Sequence, residues 1–186
     1  MVWEGARSVV NRTAERVAKL APAGKWIQHW AAARLPREAC RVLFVCKGNI
    51  CRSAYAEGAA RALLGNSSGW EFASAGLQAT PGAPPPEIAV RIAWERGVDL
   101  REHHARPMSA FDPGAVELVL VMEPVQMVDG GLAPFRGRCR VLPLGAIIGT
   151  PLIADPFGQS EAVFRVCFAQ IDSAIRELAN GTGMER

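Results

Sequence analysis

The 186-residue chain is predicted to be an α/β protein with a central parallel four-stranded sheet, helices on both faces, and an N-terminal helical extension. Three observations carry that prediction. Short β-rich runs alternate with longer helical ones after residue 40, the order that a parallel sheet with crossover helices requires. Arg41 to Val45 is a continuous apolar run of the kind found in strands buried on both sides. The residues before it follow helical periodicity instead.

Taken in order, Trp3, Ala6, Val10, Thr13, Val17 and Leu20 recur at three- and four-residue steps and fall on one stripe of a helix. Ala21-Pro22-Ala23-Gly24 reads as a break. Trp26, Ile27, Trp30, Ala31 and Leu35 form a second short helical pattern that ends near Pro36. Residues 1–39 are therefore expected to be an extension and residues 40–186 the main domain. Within that domain the pattern predicts a strand at Arg41–Val45, a helix at Ser53–Leu64, a strand at Trp70–Ala73 and a helix at Glu87–Arg96 closed by Gly97. Strands at Leu118–Met122 and Val141–Leu144 follow, then a long helix at Glu161–Ala179 ended by Asn180-Gly181. Thr80 to Pro86 is a proline-rich loop.

Composition narrows the function classes. With 49% hydrophobic and 21% charged residues, collagen-like and disordered readings are excluded. No apolar stretch approaches the roughly 20 residues that span a bilayer, and no signal-peptide pattern opens the chain, so a cytoplasmic protein is expected. A net charge of +3 is too small to suggest nucleic acid. Its distribution says more: residues 1–40 carry seven Lys or Arg against three Asp or Glu, leaving fourteen basic and fifteen acidic residues beyond them. The apolar faces of the extension are expected to dock on the main domain or on a second copy. Contact of residues 1–38 with an anionic membrane surface is the less favoured reading. The sequence does not fix the oligomeric state. Five cysteines at irregular spacing do not make a disulfide framework, and reduced thiols are expected.

The chemistry concentrates directly after the first strand, in Cys46-Lys47-Gly48-Asn49-Ile50-Cys51-Arg52-Ser53. A strand, a loop and a helix N-terminus follow one another without a gap. Such a loop can turn its N–H groups inward as an anion nest, and the helix dipole adds partial positive charge at the same point. Gly48 and Asn49 tolerate the left-handed backbone that a nest requires. Arg52 offers a planar fork able to hold two phosphate oxygens at once. The same field stabilises a thiolate, which makes Cys46 the candidate nucleophile. Lys47 reads as a solvated charge at the pocket rim.

The full run resembles the signature of the low-molecular-weight protein tyrosine phosphatases. Asp155-Pro156-Phe157, late in the chain, is similar to the Asp-Pro pair whose aspartate is that family's general acid. Ser74-Ala75-Gly76-Leu77, His103-His104-Ala105-Arg106 and Val121-Met122-Glu123 match between them, so the resemblance covers roughly residues 41–180. It looks most like the bacterial branch associated with tyrosine kinases of capsule and exopolysaccharide export. The resemblance implies the family's four-stranded parallel fold and a cysteinyl-phosphate mechanism without metal or other cofactor. Cys46 would attack phosphorus, Arg52 and the loop amides would hold the equatorial oxygens, and Asp155 would protonate the leaving oxygen. Asn49, Ser53, Ser74 and His103 match positions that hold the loop open, and Leu77 and Phe157 match positions that wall the pocket. Cys51 matches a second loop cysteine able to form a reversible disulfide with Cys46, with a plain packing role as the alternative. The implied partner is a phosphotyrosine protein such as a bacterial tyrosine autokinase.

Rival readings follow from the same residues. Arsenate reductases on this fold rely on cysteines near mid-chain, and none occurs between Cys51 and Cys139. Phosphoarginine phosphatases tend to carry threonine where this loop has Ile50. A non-catalytic module binding phosphotyrosine or a membrane would have no use for Cys46, Arg52 and Asp155 together. Cys40, Cys139 and Cys167 read as ordinary thiols, and a zinc site at Cys46 and Cys51 lacks further ligands. After the Asp-Pro pair, the paired tyrosines of eukaryotic members are missing.

Overall fold

The computed structural model describes residues 21–38, 40–65 and 69–182, so the stripe from Trp3 to Leu20 lies outside the described residues. Four strands, β1 (Arg41–Cys46), β2 (Glu71–Gly76), β3 (Leu118–Val121) and β4 (Arg140–Pro143), form one sheet in the order β2-β1-β3-β4. All pairings are parallel, with Cys46 opposite Gly76 and Val45 opposite Val121. The apolar run of β1 explains its central place, since a strand flanked on both sides and covered on both faces has no polar direction left. β2 extends three residues past the apolar run to Gly76, because buried Ser74 finds hydrogen-bond partners in Asn49 and Glu57.

The two faces of the sheet are covered by helices of different kinds. Val42, Phe44 and Cys46 point into a large apolar cluster shared with four α-helices: α1 (Ala21–Ala32), α2 (Arg52–Leu64), α3 (Glu87–Glu95) and α4 (Glu161–Thr182). Leu43, Val45, Val119 and Val121 point the other way, against Met108, Leu132 and Phe135. Those residues sit on 3₁₀ turns at Met108–Ala110 and Gly130–Phe135. Residues 107–135 are too rich in proline and glycine to sustain an α-helix, and tight turns bury the apolar residues instead.

Two expected boundaries move. Ala21-Pro22-Ala23-Gly24 is the first turn of α1 rather than a break, since a proline in the first turn has no intrahelical N–H bond to lose. Gly24 has a packing role: a Cβ on Gly149, itself at φ +74°, would lie 2.8 Å from the Gly24 carbonyl oxygen. α4 likewise runs through Asn180-Gly181 to Thr182, and Gly181 lies against Leu35, where a Cβ would meet Leu35 Cδ1 at 3.4 Å. At Gly24 and Gly149 two backbones approach closely, while Gly181 packs against the Leu35 side chain, so glycines that the sequence presents as stop signals serve as packing surfaces.

The second half of the extension thus docks on the main domain through Ala31 and Leu35, both buried, and half-buried Ile27. Its tryptophans do not share that face. Trp26 is 79% exposed and Trp30 39%, with the Arg34 guanidinium 4.6 Å from the Trp30 ring centre. Tyr55, the single tyrosine of the chain, is fully buried and stacks on Phe168 with ring centres 3.8 Å apart. Its hydroxyl donates to Asp172 Oδ1 at 2.7 Å, and burial, followed by that carboxylate, pushes the phenol well above its ordinary range. Among the described residues no helix is long and apolar enough to cross a membrane.

Candidate active site

The carboxyl ends of β1 and β2 and the start of α2 meet at the loop Cys46–Ser53. Parallel strands deliver their following loops to the same end of a sheet, which is where such folds place ligands. The strand β1 ends in Cys46, whose buried Sγ accepts the Asn49 backbone N–H at 3.2 Å and lies 3.1 Å from Ser53 Oγ. The loop is held around one residue. Asn49 sits at φ 55°, the only non-glycine in the left-handed region among the described residues. Its Nδ2 donates to Ser53 Oγ at 2.9 Å and Ser74 Oγ at 2.8 Å, and its Oδ1 accepts the Arg106 backbone N–H at 2.8 Å. The His103 ring donates from Nε2 to the Asn49 carbonyl at 2.8 Å. Burial lowers the His103 pKa, against the opposing pull of that hydrogen bond, and favours the neutral ring.

Asn49, Ser53, Ser74 and His103 are thus brought together in one network around the cysteine. Glu57 closes it, accepting from Ser74 Oγ at 2.6 Å and from Arg106 at 2.7 Å. Glu57 belongs to no motif that the sequence displays. The available signal was its place four residues after Ser53 in an otherwise alanine-rich helix, which puts it on the same face. Gly76 leaves room for the loop: a Cβ there would lie 2.8 Å from Lys47 O and 2.9 Å from Asn49 N. The loop amides hold their positions only because that side chain is absent.

Arg52 is 1% exposed and is the largest fully buried side chain among the described residues. One terminal nitrogen donates to Glu123 Oε1 at 2.7 Å and to the Ile153 carbonyl at 2.9 Å. The other pairs with Asp155 Oδ2 at 2.6 Å. Burial works against its charge, but Glu123, Cys46 and Asp155 outweigh it and hold the guanidinium above its ordinary value. The Arg52 Nε is buried with no partner. A buried cationic donor left open is costly unless something completes it, and an anion in the cradle would. Cys51 precedes α2 without a side-chain cap, so the first-turn amides of α2 are likewise open to an anion. Glu123 belongs to a matched motif, yet its role as the anchor of the guanidinium shows only in three dimensions.

These groups line a cleft of about 480 Å³ together with Lys47, Gly48, Ile50, Cys51, Gln78, Phe157 and Gln159, a size typical of small-ligand sites. Asp155 is 40% exposed at its mouth, and its Oδ1 accepts the Phe157 backbone N–H at 3.2 Å. Phe157, 58% exposed, stands at the rim. Leu77 does not line this cleft. Its side chain turns into a neighbouring apolar groove with Met108, Phe111 and Phe135, because Leu77 follows the buried Gly76 on the 3₁₀-covered face. Gln78 takes the wall position instead. Cys51 and Cys167 are both buried, and burial pushes both thiols up, Cys167 to about 12. Among the described residues no group of three or more His, Cys, Asp or Glu is arranged to hold a metal.

Comparison with known proteins places this arrangement. The family model described as low molecular weight phosphotyrosine protein phosphatase matches residues 41–186. The probable low molecular weight protein-tyrosine-phosphatase AmsI of Erwinia amylovora is 33% identical over 141 residues, 75% of this chain and 94% of AmsI. Its crystal structure superposes with a TM-score of 0.68 at 30% identity, over 76% of this chain and 92% of that one. Vibrio vulnificus Wzb in complex with benzylphosphonate gives a TM-score of 0.68 at 30% identity, over 76% and 97%. The YwlE arginine phosphatase of Geobacillus stearothermophilus gives 0.66 at 26% identity, over 78% and 94%. A cysteine loop and a buried arginine at the carboxyl end of this sheet, with a matching profile over the whole described domain, decide the assignment: the chain belongs to the low molecular weight phosphotyrosine protein phosphatases.

Proposed function

We propose that this protein hydrolyses protein phosphotyrosine by a two-step exchange at Cys46. The unpartnered Nε of fully buried Arg52, beside a cysteine sulfur that already accepts a loop amide, is the observation that carries the reading. A phosphate entering the cleft takes up Nε and the terminal nitrogen now held by Asp155, and the freed carboxyl faces the ester oxygen. The Cys46 thiolate attacks phosphorus, the P–O bond breaks, and Asp155 gives its proton to the departing phenol. Water then attacks the cysteinyl phosphate, losing its proton to Asp155, and the S–P bond breaks to release phosphate. Ser53 supports the thiolate at 3.1 Å while Arg52 and the loop amides hold the equatorial oxygens throughout. The aryl wall comes from Phe157 and Ile50, which favours an aromatic ester over short serine or threonine phosphates.

The benzylphosphonate held by Vibrio vulnificus Wzb supports an aryl phosphate as ligand. The tyrosine-phosphatase names of the relatives support a bacterial phosphotyrosine protein as substrate, with a tyrosine autokinase or another exopolysaccharide-export protein as the specific expectation. The test is hydrolysis of a phosphotyrosine peptide, with phosphoarginine and phosphoserine alongside, by wild type, Cys46→Ser and Asp155→Ala under reducing conditions. Activity on phosphotyrosine is expected to vanish in Cys46→Ser and to fall at least about 100-fold in Asp155→Ala. Preference for phosphoarginine, or a wild type inert on all three, overturns the proposal.

A further inference from the structure

We infer that the outer face of α1, continued by the amino end of β4, is a docking surface for an anionic lipid bilayer. Trp26, Trp30 and Ala33 fall at four- and three-residue steps and so form one stripe, opposite the buried Ala31 and Leu35. A helix that has already buried one apolar stripe has no folding reason to carry two exposed tryptophans on another. Lys25 and His29 flank Trp26, and Arg34 covers the Trp30 ring. Beyond Trp30 the stripe leads into a groove where Ala33 and Arg37 meet Arg138 and Arg140.

Charge selects the occupant. α1 contains no acidic residue, and among the described residues Lys25, Arg37, Arg138 and Arg140 form no ion pair. Glu38 and Glu117 also line the groove, with Glu117 already accepting the Arg41 backbone N–H at 2.8 Å. Indole rings beside unpaired cations are the composition that sits at a bilayer interface, the rings at headgroup depth and the cations on lipid phosphate. A second copy would bring the same cations against themselves. The arginines lie at the amino ends of the strands and the catalytic cleft at the carboxyl ends, so a bilayer on this face leaves the cleft open.

The experiment is co-sedimentation of the full chain with phosphatidylcholine vesicles, with and without about one third phosphatidylglycerol, in low and high salt. Binding is expected only with phosphatidylglycerol and is expected to weaken in high salt. Arg138→Ser and Arg140→Ser should each lower the partition coefficient roughly fivefold. Trp26→Ser with Trp30→Ser should abolish binding, with phosphatase activity unchanged in all variants. Failure to bind, binding equal on both lipids, or binding untouched by these substitutions overturns the inference. So does a concentration-dependent dimer that the tryptophan substitutions dissociate, which would assign the face to a second copy.

Discussion

Replacing Asn49 tests whether one side chain sets the catalytic loop. Its amide makes three hydrogen bonds, to Ser53, Ser74 and the Arg106 backbone, all between 2.8 and 2.9 Å and all buried or partly buried. At about 1 kcal/mol each, Asn49→Ala loses about 3 kcal/mol. Alanine must also hold φ 55°, which costs about 1 kcal/mol more than asparagine or glycine there. The total of about 4 kcal/mol is a large part of the stability of a domain this size. Asn49→Gly loses the same bonds without the conformational cost, so it should be about 1 kcal/mol more stable than the alanine variant. Urea unfolding at constant m value measures both differences. Activity on a phosphotyrosine peptide, assayed well below each midpoint, should fall in both variants because the Asn49 N–H that faces Cys46 is no longer fixed. A loss below about 1 kcal/mol in Asn49→Ala, or a glycine variant no more stable than the alanine one, would refute the reasoning.

Other substitutions probe the remaining parts of the site. Asp155→Asn removes the 2.6 Å ion pair that occupies Arg52, together with the repulsion between carboxylate and phosphate. Inorganic phosphate should then inhibit about fivefold more strongly while turnover falls, a pair whose carboxylate stands at the cleft mouth contributing about 1 kcal/mol; an unchanged inhibition constant would show that the pair does not compete with the ligand. Gly76→Ala forces a Cβ to within 3 Å of two loop backbone atoms. It should cost about 1–3 kcal/mol in thermal unfolding and move the Cys46 loop, so full activity with unchanged stability would contradict the close approach. His103 has its pKa lowered in the fold, so the unfolded chain binds the proton more readily and stability falls as pH drops through the unfolded value near 6.5. His103→Gln should show a smaller loss of melting temperature between pH 7.5 and 5.5 than wild type, and an equal loss would assign the acid sensitivity elsewhere.

Much of this site was legible because its parts are contiguous. The strand, the cysteine loop and the helix start occupy a single uninterrupted run, and local backbone chemistry suffices to place Cys46, Asn49 and Arg52. What the sequence concealed depends on long-range contact. Glu57 and Glu123 look like ordinary helix and loop acids until Ser74, Arg106 and Arg52 arrive from distant strands and turns. Leu77 shows the opposite failure: its neighbours in sequence belong to the site, but the alternation of β2 continues past Gly76 and sends its side chain to the other face. The breaks expected at Ala21–Gly24 and Asn180-Gly181 misled for a related reason. Glycine serves both as a helix terminator and as a packing surface, and only the presence of Gly149 or Leu35 opposite distinguishes the two.

The burial of Tyr55 bears on whether this phosphatase can itself be modified on tyrosine. The sole phenol of the chain is sealed between Phe168 and Asp172 in the interior, and no surface hydroxyl of that kind remains for a kinase to modify. The described fold therefore presents no phenol of its own at the surface, so a phosphotyrosine site of this chain would require Tyr55 to leave the core.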